Sequence, residues 1–311
     1  VASANNVTGG AVNVGGGGVT QTAGAGTTSF ATISAINNGN INLTGTNITL
    51  TGLSVSGTGA VNLTHTGANS LTVTGTVTLG SSGVLTDTAT TAATTGTIGG
   101  PITGTGSAAV AKAGAGTLTL SNTGNNYPGA TTVTGGTLRL GAAGVIPDTS
   151  NVTLSGAVTL DLNGNSEAIN GLSGAGGTVT SGVAGAVTLT VGVSNGTATY
   201  SGVIQDGAGT VSLTKSGTST QALAGTNTYT GLTTVSAGTL ILVNGAAIAD
   251  TGAVTITGGG LQLNNSETIG DLTTAAGTTV NLQGNALTFG TAAGTAVAGV
   301  VSGTGGGLVK Q

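Results

Sequence analysis

Ionisable side chains are so scarce in this sequence that each candidate for chemistry can be weighed by itself. The 311 residues contain 8 Asp+Glu, 4 Lys+Arg and 1 His. A glycoside hydrolase or lyase needs its carboxylates, or its basic residues, gathered once at a single place. Calcium-binding solenoids carry Gly-Gly-x-Gly-x-Asp nonapeptides, and this sequence contains none of them.

The acidic residues recur along the chain instead of clustering. Asp148 is matched by Asp250, and Glu167 is matched by Glu267, in two similar stretches of sequence. A site that performs chemistry is needed once, whereas a feature of a repeated unit returns with each copy. We therefore interpret these four acids as corner or surface features of the unit.

Two further charged residues are exchanged between the similar stretches. Arg139 is replaced by Ile241, and Asp161 is replaced by Gln262. Neither exchange is compatible with a group that reacts with a substrate or binds a metal ion. The sequence therefore predicts no catalytic, cofactor-binding or metal-binding residue, no cofactor and no enzymatic activity.

The remaining polar candidates are one histidine and two tyrosines. His65 has no second His or Cys with which to build a metal site, and no local nucleophile stands out beside it. We interpret His65 as a histidine at the end of a strand. Tyr127 and Tyr229 occupy matching places, and we expect each to pack beside a corner of the chain.

The three lysines occupy matching places as well. Lys112, Lys215 and Lys310 each follow an apolar residue by two positions, so all three share the parity of the inward side chains. A buried, unpaired ammonium is costly. We therefore expect each strand to end or bulge just before its lysine, leaving all three ammonium groups exposed at corners.

A long internal repeat must position all of these residues. Tyr127 matches Tyr229 and Leu138 matches Leu240, each 102 residues further on (229−127 and 240−138). Self-similarity at a fixed offset indicates a repeat architecture. The predicted divisions are residues 1–97, irregular N-terminal coils; 98–200, a first long repeat; 201–297, a second; and 298–311, the start of a third.

The local pattern throughout is that of short strands. Apolar residues alternate with Thr, Asn and Ser over a few positions, and each run ends at Gly or Asn, which tolerate positive φ. Helix signals are missing. An antiparallel sandwich is one arrangement of such strands, but the long, multi-stranded repeat favours stacked coils with a narrow core. The side chains expected in that core are Leu118, Leu120, Val133, Leu138, Leu140, Leu160 and Leu162, with their second-copy partners.

Three motifs make the repeat specific. They are Gly-Ala-Gly-Thr-Leu-Thr-Leu from Gly114, Asn-x-Tyr-x-Gly-x-Thr-Thr-Val around Tyr127, and Gly-Thr-Leu-x-Leu ending at Leu140. They resemble the passenger-associated repeats of bacterial autotransporters over residues 98–311. The resemblance implies an all-β, right-handed parallel β-helix that is secreted and displayed at the cell surface. It carries over no catalytic residue.

Composition restricts the partners. The net charge of −4 excludes the basic surface that nucleic acids require, and no apolar run is long enough for a membrane-spanning helix. The pairs Thr72/Thr74 and Thr117/Thr119 suggest ice binding as a function. Ice binding requires such pairs at one fixed place in successive coils. From the sequence, we expect the pairs to drift in phase.

Two classes of function remain for the sequence. The first is a structural or presentation segment of a secreted or surface β-helical rod or filament, located outside a bacterial cell. The alternative is an adhesin that binds host or matrix glycans or proteins through its sheet faces. Because the third copy starts in register just before Gln311, we expect either a longer repeat protein or copies stacked end to end.

Overall fold

The computed structural model describes residues 6–15, 17–21, 26–68, 70–290 and 296–311. Within those ranges the secondary structure consists of short strands without a helix, and the strands pair in parallel. The chain is a parallel β-solenoid, which confirms the predicted fold class. Its residues form two compact units, Val1–Leu160 and Asp161–Gln311. The repeat boundaries concern sequence similarity and stay a prediction.

The first unit stacks its strands in two long sheets. One has the order β1-β3-β5-β7-β10-β13-β15-β17, with β8 beside β5 and β11 beside β8, and the other has the order β16-β14-β12-β9-β6-β4-β2. The strands are β1 (Val7–Val14), β2 (Val19–Gln21), β3 (Thr27–Ala35), β4 (Ile41–Gly45), β5 (Asn47–Val55), β6 (Val61–His65), β7 (Leu71–Val73), β8 (Val77–Leu79), β9 (Val84–Ala89), β10 (Thr95–Ile98), β11 (Ile102–Gly104), β12 (Ala109–Ala113), β13 (Thr117–Leu120), β14 (Thr131–Val133), β15 (Thr137–Leu140), β16 (Asn151–Leu154) and β17 (Thr159–Asp161).

The second unit has three stacks of its own. Their orders are β18-β21-β24-β26-β28-β31-β34, β22-β25-β27-β29-β32-β35 and β30-β33-β36, and β20 pairs with β23. The strands are β18 (Glu167–Ile169), β19 (Gly171–Ser173), β20 (Thr178–Thr180), β21 (Ala186–Val191), β22 (Ala198–Tyr200), β23 (Val203–Ile204), β24 (Thr210–Lys215), β25 (Thr220–Leu223), β26 (Thr233–Val235), β27 (Thr239–Leu242), β28 (Val254–Ile256), β29 (Gly260–Leu263), β30 (Glu267–Thr268), β31 (Leu272–Thr274), β32 (Thr279–Asn281), β33 (Ala286–Phe289), β34 (Ala296–Val297), β35 (Val300–Ser302) and β36 (Gly307–Lys310).

The alternating apolar residues point into the core, as the period of two requires. In register, β13 pairs with β15 so that Leu118 lies beside Leu138 and Leu120 beside Leu140. The Leu and Val side chains named above for the core are buried, so that prediction is confirmed. The buried set is Leu118, Leu120, Val133, Leu138, Leu140, Leu160 and Leu162, together with Val235, Leu240, Leu242, Leu261 and Leu263.

Two positions depart from the predicted core. Leu308 is the apolar residue two positions before Lys310, and the alternation predicts that it points inward. It is 37% exposed, because its strand pairs with β33 on one side only. Gln221 lies beside Leu240, where the first copy pairs Leu118 with Leu138. Its buried amide accepts a hydrogen bond from the Leu172 N–H and donates one to the Leu172 carbonyl.

Glycine is needed where coils approach most closely. A Cβ built on Gly75 would come within 1.7 Å of the Thr51 carbonyl oxygen of the preceding coil. Real Cβ atoms do not approach backbone so closely, since the interior is close-packed. Glycine at such positions lets neighbouring coils approach closely, so a chain with 62 Gly can still pack an ordered core.

Candidate functional site

Lys112 and Lys215 are fully buried, so the prediction that they are exposed at corners is wrong. Each lysine lies within its strand, β12 or β24, and keeps the inward direction that parity assigns to it. The expectation that the strand ends or bulges before the lysine is therefore wrong as well. Lys310 alone is exposed as predicted, in β36.

A set of three backbone carbonyls receives each buried ammonium, and we call this set the lysine cage. Lys112 Nζ donates to the carbonyls of Ala113, Gly114 (3.0 Å) and Gly135 (3.4 Å). An ammonium has three N–H donors, so the cage satisfies them all. The sequence argument failed because it considered carboxylates as partners and overlooked backbone oxygens.

The second copy builds the same cage. Lys215 Nζ donates to the carbonyls of Ser216, Gly217 (2.9 Å) and Ala237 (3.3 Å). Desolvation by burial lowers the pKa of Lys215. Desolvation also lowers the pKa of Lys112, although the charge of Asp87 opposes this shift. Burial therefore weakens the preference of both groups for the charged form.

Buried asparagines connect three successive strands or loops of the solenoid. Asn125 Oδ1 accepts a hydrogen bond from the Ile102 N–H (2.7 Å), and Asn125 Nδ2 donates to the Val145 carbonyl (2.7 Å). Residues 102 and 145 lie in the coils before and after Asn125. The side chain thus joins one coil to both neighbours and satisfies backbone groups that strand pairing leaves open.

The second copy contains the same pair of asparagine contacts, and we call each such pair an asparagine bracket. Asn227 Oδ1 accepts from the Ile204 N–H (2.7 Å), and its amide donates to the Ala247 carbonyl (2.7 Å). Two residues further on, Tyr229 is fully buried, and its hydroxyl shares a hydrogen bond of 2.7 Å with Thr233. Tyr127 and Thr131 form the matching contact at 2.8 Å, which confirms that these tyrosines pack beside corners.

A buried chain of polar side chains surrounds His65 in the first unit. The Nδ1 atom of His65 is hydrogen-bonded to Ser70 Oγ, and its Nε2 atom lies 2.7 Å from Asp87 Oδ1. The other oxygen of Asp87, Oδ2, lies 3.8 Å from Lys112 Nζ. His65, Asp87 and Lys112 are each 0% exposed, and Ser70 is 1% exposed.

Serine, histidine and aspartate together form the catalytic triad of many hydrolases. In a hydrolase, the serine oxygen must face a substrate. Ser70 faces the core instead, and no pocket opens among the residues that the structure describes. His65 does end strand β6, as predicted, but the sequence interpretation missed its two partners.

The acids divide into exposed and buried positions. Asp148 and Asp250 are exposed, as predicted for surface features. Glu167 and Glu267 are each only 3% exposed, so the prediction of a surface position is wrong for these two. Glu267 lies inside because its Oε1 accepts a hydrogen bond from the Ile248 N–H at 2.8 Å.

Two aspartates elsewhere bind backbone N–H groups at corners. Asp161 Oδ1 accepts from the N–H groups of Asn163 (2.9 Å) and Gly182 (2.8 Å). Asp206 Oδ1 accepts from the Val211 N–H (2.7 Å). Both carboxylates shape local turns. Among the described residues, no three His, Cys, Asp or Glu side chains are grouped so as to hold a metal ion.

Glu267 gives the second unit a pH dependence. Desolvation raises its pKa to about 7, against an ordinary value of 4.5, and the hydrogen bonds from Ile248 and Ala247 oppose this shift only in part. The unfolded chain therefore ionises Glu267 at a lower pH than the folded chain. The contribution of Glu267 to the free energy of unfolding is therefore largest below pH 4.5. It falls between pH 4.5 and 7 and stays at its lower value above pH 7.

We expect Glu267→Gln to remove this pH dependence and to stabilise the second unit at neutral pH by about 3 kcal/mol. The amide retains an oxygen for the Ile248 N–H but carries no charge. The measurement is the denaturation midpoint of both proteins at about pH 5 and about pH 8. Asp148→Asn, at an exposed carboxylate of the first copy, is the control, because the charge of Asp250 itself helps to raise the pKa of Glu267. Parallel pH profiles for wild type and Glu267→Gln would contradict the prediction.

The outer surface of the second unit carries five threonines in register, which we call the threonine ladder. Successive parallel pairs align them one above another, about 4.8 Å apart per coil. All five are partly exposed. The ladder consists of Thr190, Thr214, Thr234, Thr255 and Thr273.

The first unit has a similar column. It consists of four threonines in register, Thr49, Thr72, Thr97 and Thr119, and Arg139 occupies the next place in the column, beside Thr119. The pairs nevertheless drift in phase, as expected. Thr72 shares a column with Thr119, so Thr74 lies two residues after that column whereas Thr117 lies two residues before it.

The comparison with protein families can now be set beside this geometry. A family model described as the passenger-associated-transport-repeat matches residues 110–140 and 213–242. The chain therefore contains two copies of this repeat, in agreement with the resemblance noted from its motifs. Each matched range of the passenger-associated-transport-repeat contains the caged lysine, the bridging asparagine and the buried tyrosine. The repeat thus specifies the inner contacts that join neighbouring coils.

Two curated relatives contain similar sequence. The chain is 36% identical to the adhesin BmaC autotransporter of Brucella suis over 226 residues, which are 70% of this chain and 6% of that protein. It is 38% identical to the uncharacterized protein YuaQ of Escherichia coli over 104 residues, 33% of this chain and 8% of that protein. The matches therefore span a small fraction of each relative. No solved structure gave a significant match.

The passenger-associated-transport-repeat and the autotransporter relative indicate a secreted or cell-surface passenger segment. A search of the described residues for helices found none with the length and apolar character needed to cross a bilayer.

Proposed function

We propose that this chain is a non-catalytic structural segment that presents other parts of a bacterial surface protein. The proposal rests on the contacts that the buried polar side chains make. The lysine cages and the asparagine brackets direct inward polar side chains at backbone groups of the same or neighbouring coils. These contacts join coils, and none of them leaves a reactive group facing solvent.

The adhesin alternative has its own supporting observations. The Brucella relative is named an adhesin, and the threonine ladder presents hydroxyl groups at regular intervals on one sheet. Beside the ladder, Leu232 is 44% exposed. Hydroxyl groups and an exposed apolar side chain are suited to a glycan or to a protein surface. This alternative makes the ladder the binding surface.

Binding of the purified chain to glycan arrays and immobilised matrix proteins tests the two functions. A structural segment should show no saturable binding, and incubation with polysaccharides should release no new reducing ends. Saturable binding would favour the adhesin alternative, and polysaccharide turnover would contradict both.

A pair of matched variants tests the ladder itself. If the chain is an adhesin, Thr234→Arg with Thr255→Arg should weaken binding at least about tenfold, because two bulky charges interrupt the ladder. Ile241→Arg with Gln262→Arg is the control, since it places the same charges on a neighbouring sheet in equivalent coils. Arg139 already occupies an outward strand position, so both variants should fold. Equal loss in both variants would exclude the ladder.

A further inference from the structure

Lys112 and Asp87 face each other inside the first unit. They are direct partners in the parallel pairing of β12 with β9, and both side chains are 0% exposed. Lys112 Nζ lies 3.8 Å from Asp87 Oδ2. Within the described part of the chain, this oxygen accepts no hydrogen bond, whereas Oδ1 is held by His65. An amine and an open carboxyl oxygen therefore meet in a dry core.

Lys215 shows that the lysine cage does not require an acid. Its strand partner in the preceding coil is Val191. Lys215 is nevertheless held by the same three carbonyl contacts. Asp87 therefore is not needed to keep a lysine inside, and its presence beside Lys112 calls for a separate reason.

Two buried charges are costly even when they are paired. The attraction of the pair often fails to offset the loss of hydration, and apolar replacements are frequently as stable. Joining the amine and the carboxyl group as an amide removes both charges and releases one water. The core thus favours the neutral, condensed state over the separated ions.

We propose that Lys112 and Asp87 condense to form an amide bond that covalently joins strands β9 and β12. The bond would connect residues that are already neighbours in register, so the backbone pairing is retained. The proposal concerns the inside of the first unit and does not rest on the proposed function.

The reaction needs no oxidant, reductant or other co-reactant. One N–H of Lys112 first turns from its cage carbonyl towards Oδ2 and passes its proton to that oxygen. This gives a neutral amine and a carboxylic acid, and the lowered pKa of Lys112 favours the transfer. The nitrogen lone pair then attacks Cγ, and the C=O electrons move to Oδ1. A second Nζ proton passes to the Oδ2 hydroxyl, which leaves as water while the C=O bond reforms.

His65 is placed to assist the attack. Its Nε2 atom lies 2.7 Å from Oδ1, the oxygen on which negative charge develops, and an N–H donor at that distance stabilises such an oxyanion. When the Ser70 hydroxyl donates to Nδ1, the neutral ring carries its proton on Nε2. Ser70 is thus a positioning residue, and His65 is the catalytic residue of the condensation.

The intact mass of the purified, folded chain tests the proposal directly. We expect the chain to be lighter than its sequence by the mass of one water, and the deficit to persist after full denaturation. A tryptic digest of the denatured protein locates the bond. Trypsin should cleave after Lys215 and fail to cleave after Lys112, and fragmentation should place the link between residues 87 and 112.

Variants separate the bond from other causes of the mass difference. Lys112→Arg and Asp87→Ala should each restore the full mass, whereas Lys215→Arg should keep the deficit. His65→Gln should slow the formation of the bond at least about tenfold. A wild-type chain of full mass that is cleaved after Lys112 would overturn the proposal, even if every variant failed to fold. Unchanged kinetics in His65→Gln would overturn the role of His65.

Discussion

Leu240→Asp is expected to unfold the coil that contains β27. Leu240 is fully buried between Gln221 and Leu261 of the neighbouring strands. Losing its apolar burial costs about 1.5–3 kcal/mol, and the carboxylate would be left in the core without a partner. The total cost exceeds about 4 kcal/mol, which is large for any local segment.

Hydrogen exchange measured by mass spectrometry is the suitable readout, because a solenoid can lose one coil while others persist. Amides of β25, β27 and β29 should exchange rapidly in Leu240→Asp. Ile241→Asp is the matched control, one residue along and on the outer face, where the first copy carries Arg139. If both variants kept the protection of wild type, Leu240 would not be a core residue.

Asn227→Leu should cost about 2–6 kcal/mol, although it adds an apolar side chain of similar size to a buried position. The substitution leaves the Ile204 N–H and the Ala247 carbonyl without the side chain that satisfies them. Each unsatisfied buried group costs about 1–3 kcal/mol. The protein should therefore lose protection in coils on both sides of the substitution.

The spread of the damage distinguishes a bracket from an ordinary core residue. In Asn227→Leu, amide exchange should accelerate around residue 204 and around residue 247, about 20 residues away in each direction. Thr228→Ala, at the exposed neighbour, should leave exchange unchanged. Acceleration confined to residues next to 227 would mean that the asparagine does not connect the coils.

The alternation of side chains was sufficient to predict the fold and the apolar core. Leu138 and Leu240 lie inside because a strand of period two leaves them no other direction once Thr137 and Thr239 face out. Gly and Asn at the ends of the runs marked the corners. These are local properties, so they could be recognised without knowing which coil lies above which.

Polar contacts between coils could not be predicted in the same way. Asp87 meets His65 because Leu63 pairs in register with Asp87, and that register depends on the length of each coil. The sequence shows two short strands with irregular corners between them. The prediction that the lysines are exposed was wrong for a related reason, since the positions of backbone carbonyls leave no pattern in the sequence.

The short reach of the parallel pairing has a consequence for how the chain acquires its structure. Within each unit, partners such as Ile41 and Val61, or Val61 and Leu85, are separated by only about 20–25 residues. Ordering the next coil therefore closes a loop of nearly constant size, at nearly constant entropy. Contacts that are local in sequence also favour rapid folding. We expect structure to spread from coil to coil as in a one-dimensional crystal, so that a lesion in one coil halts its growth at that point.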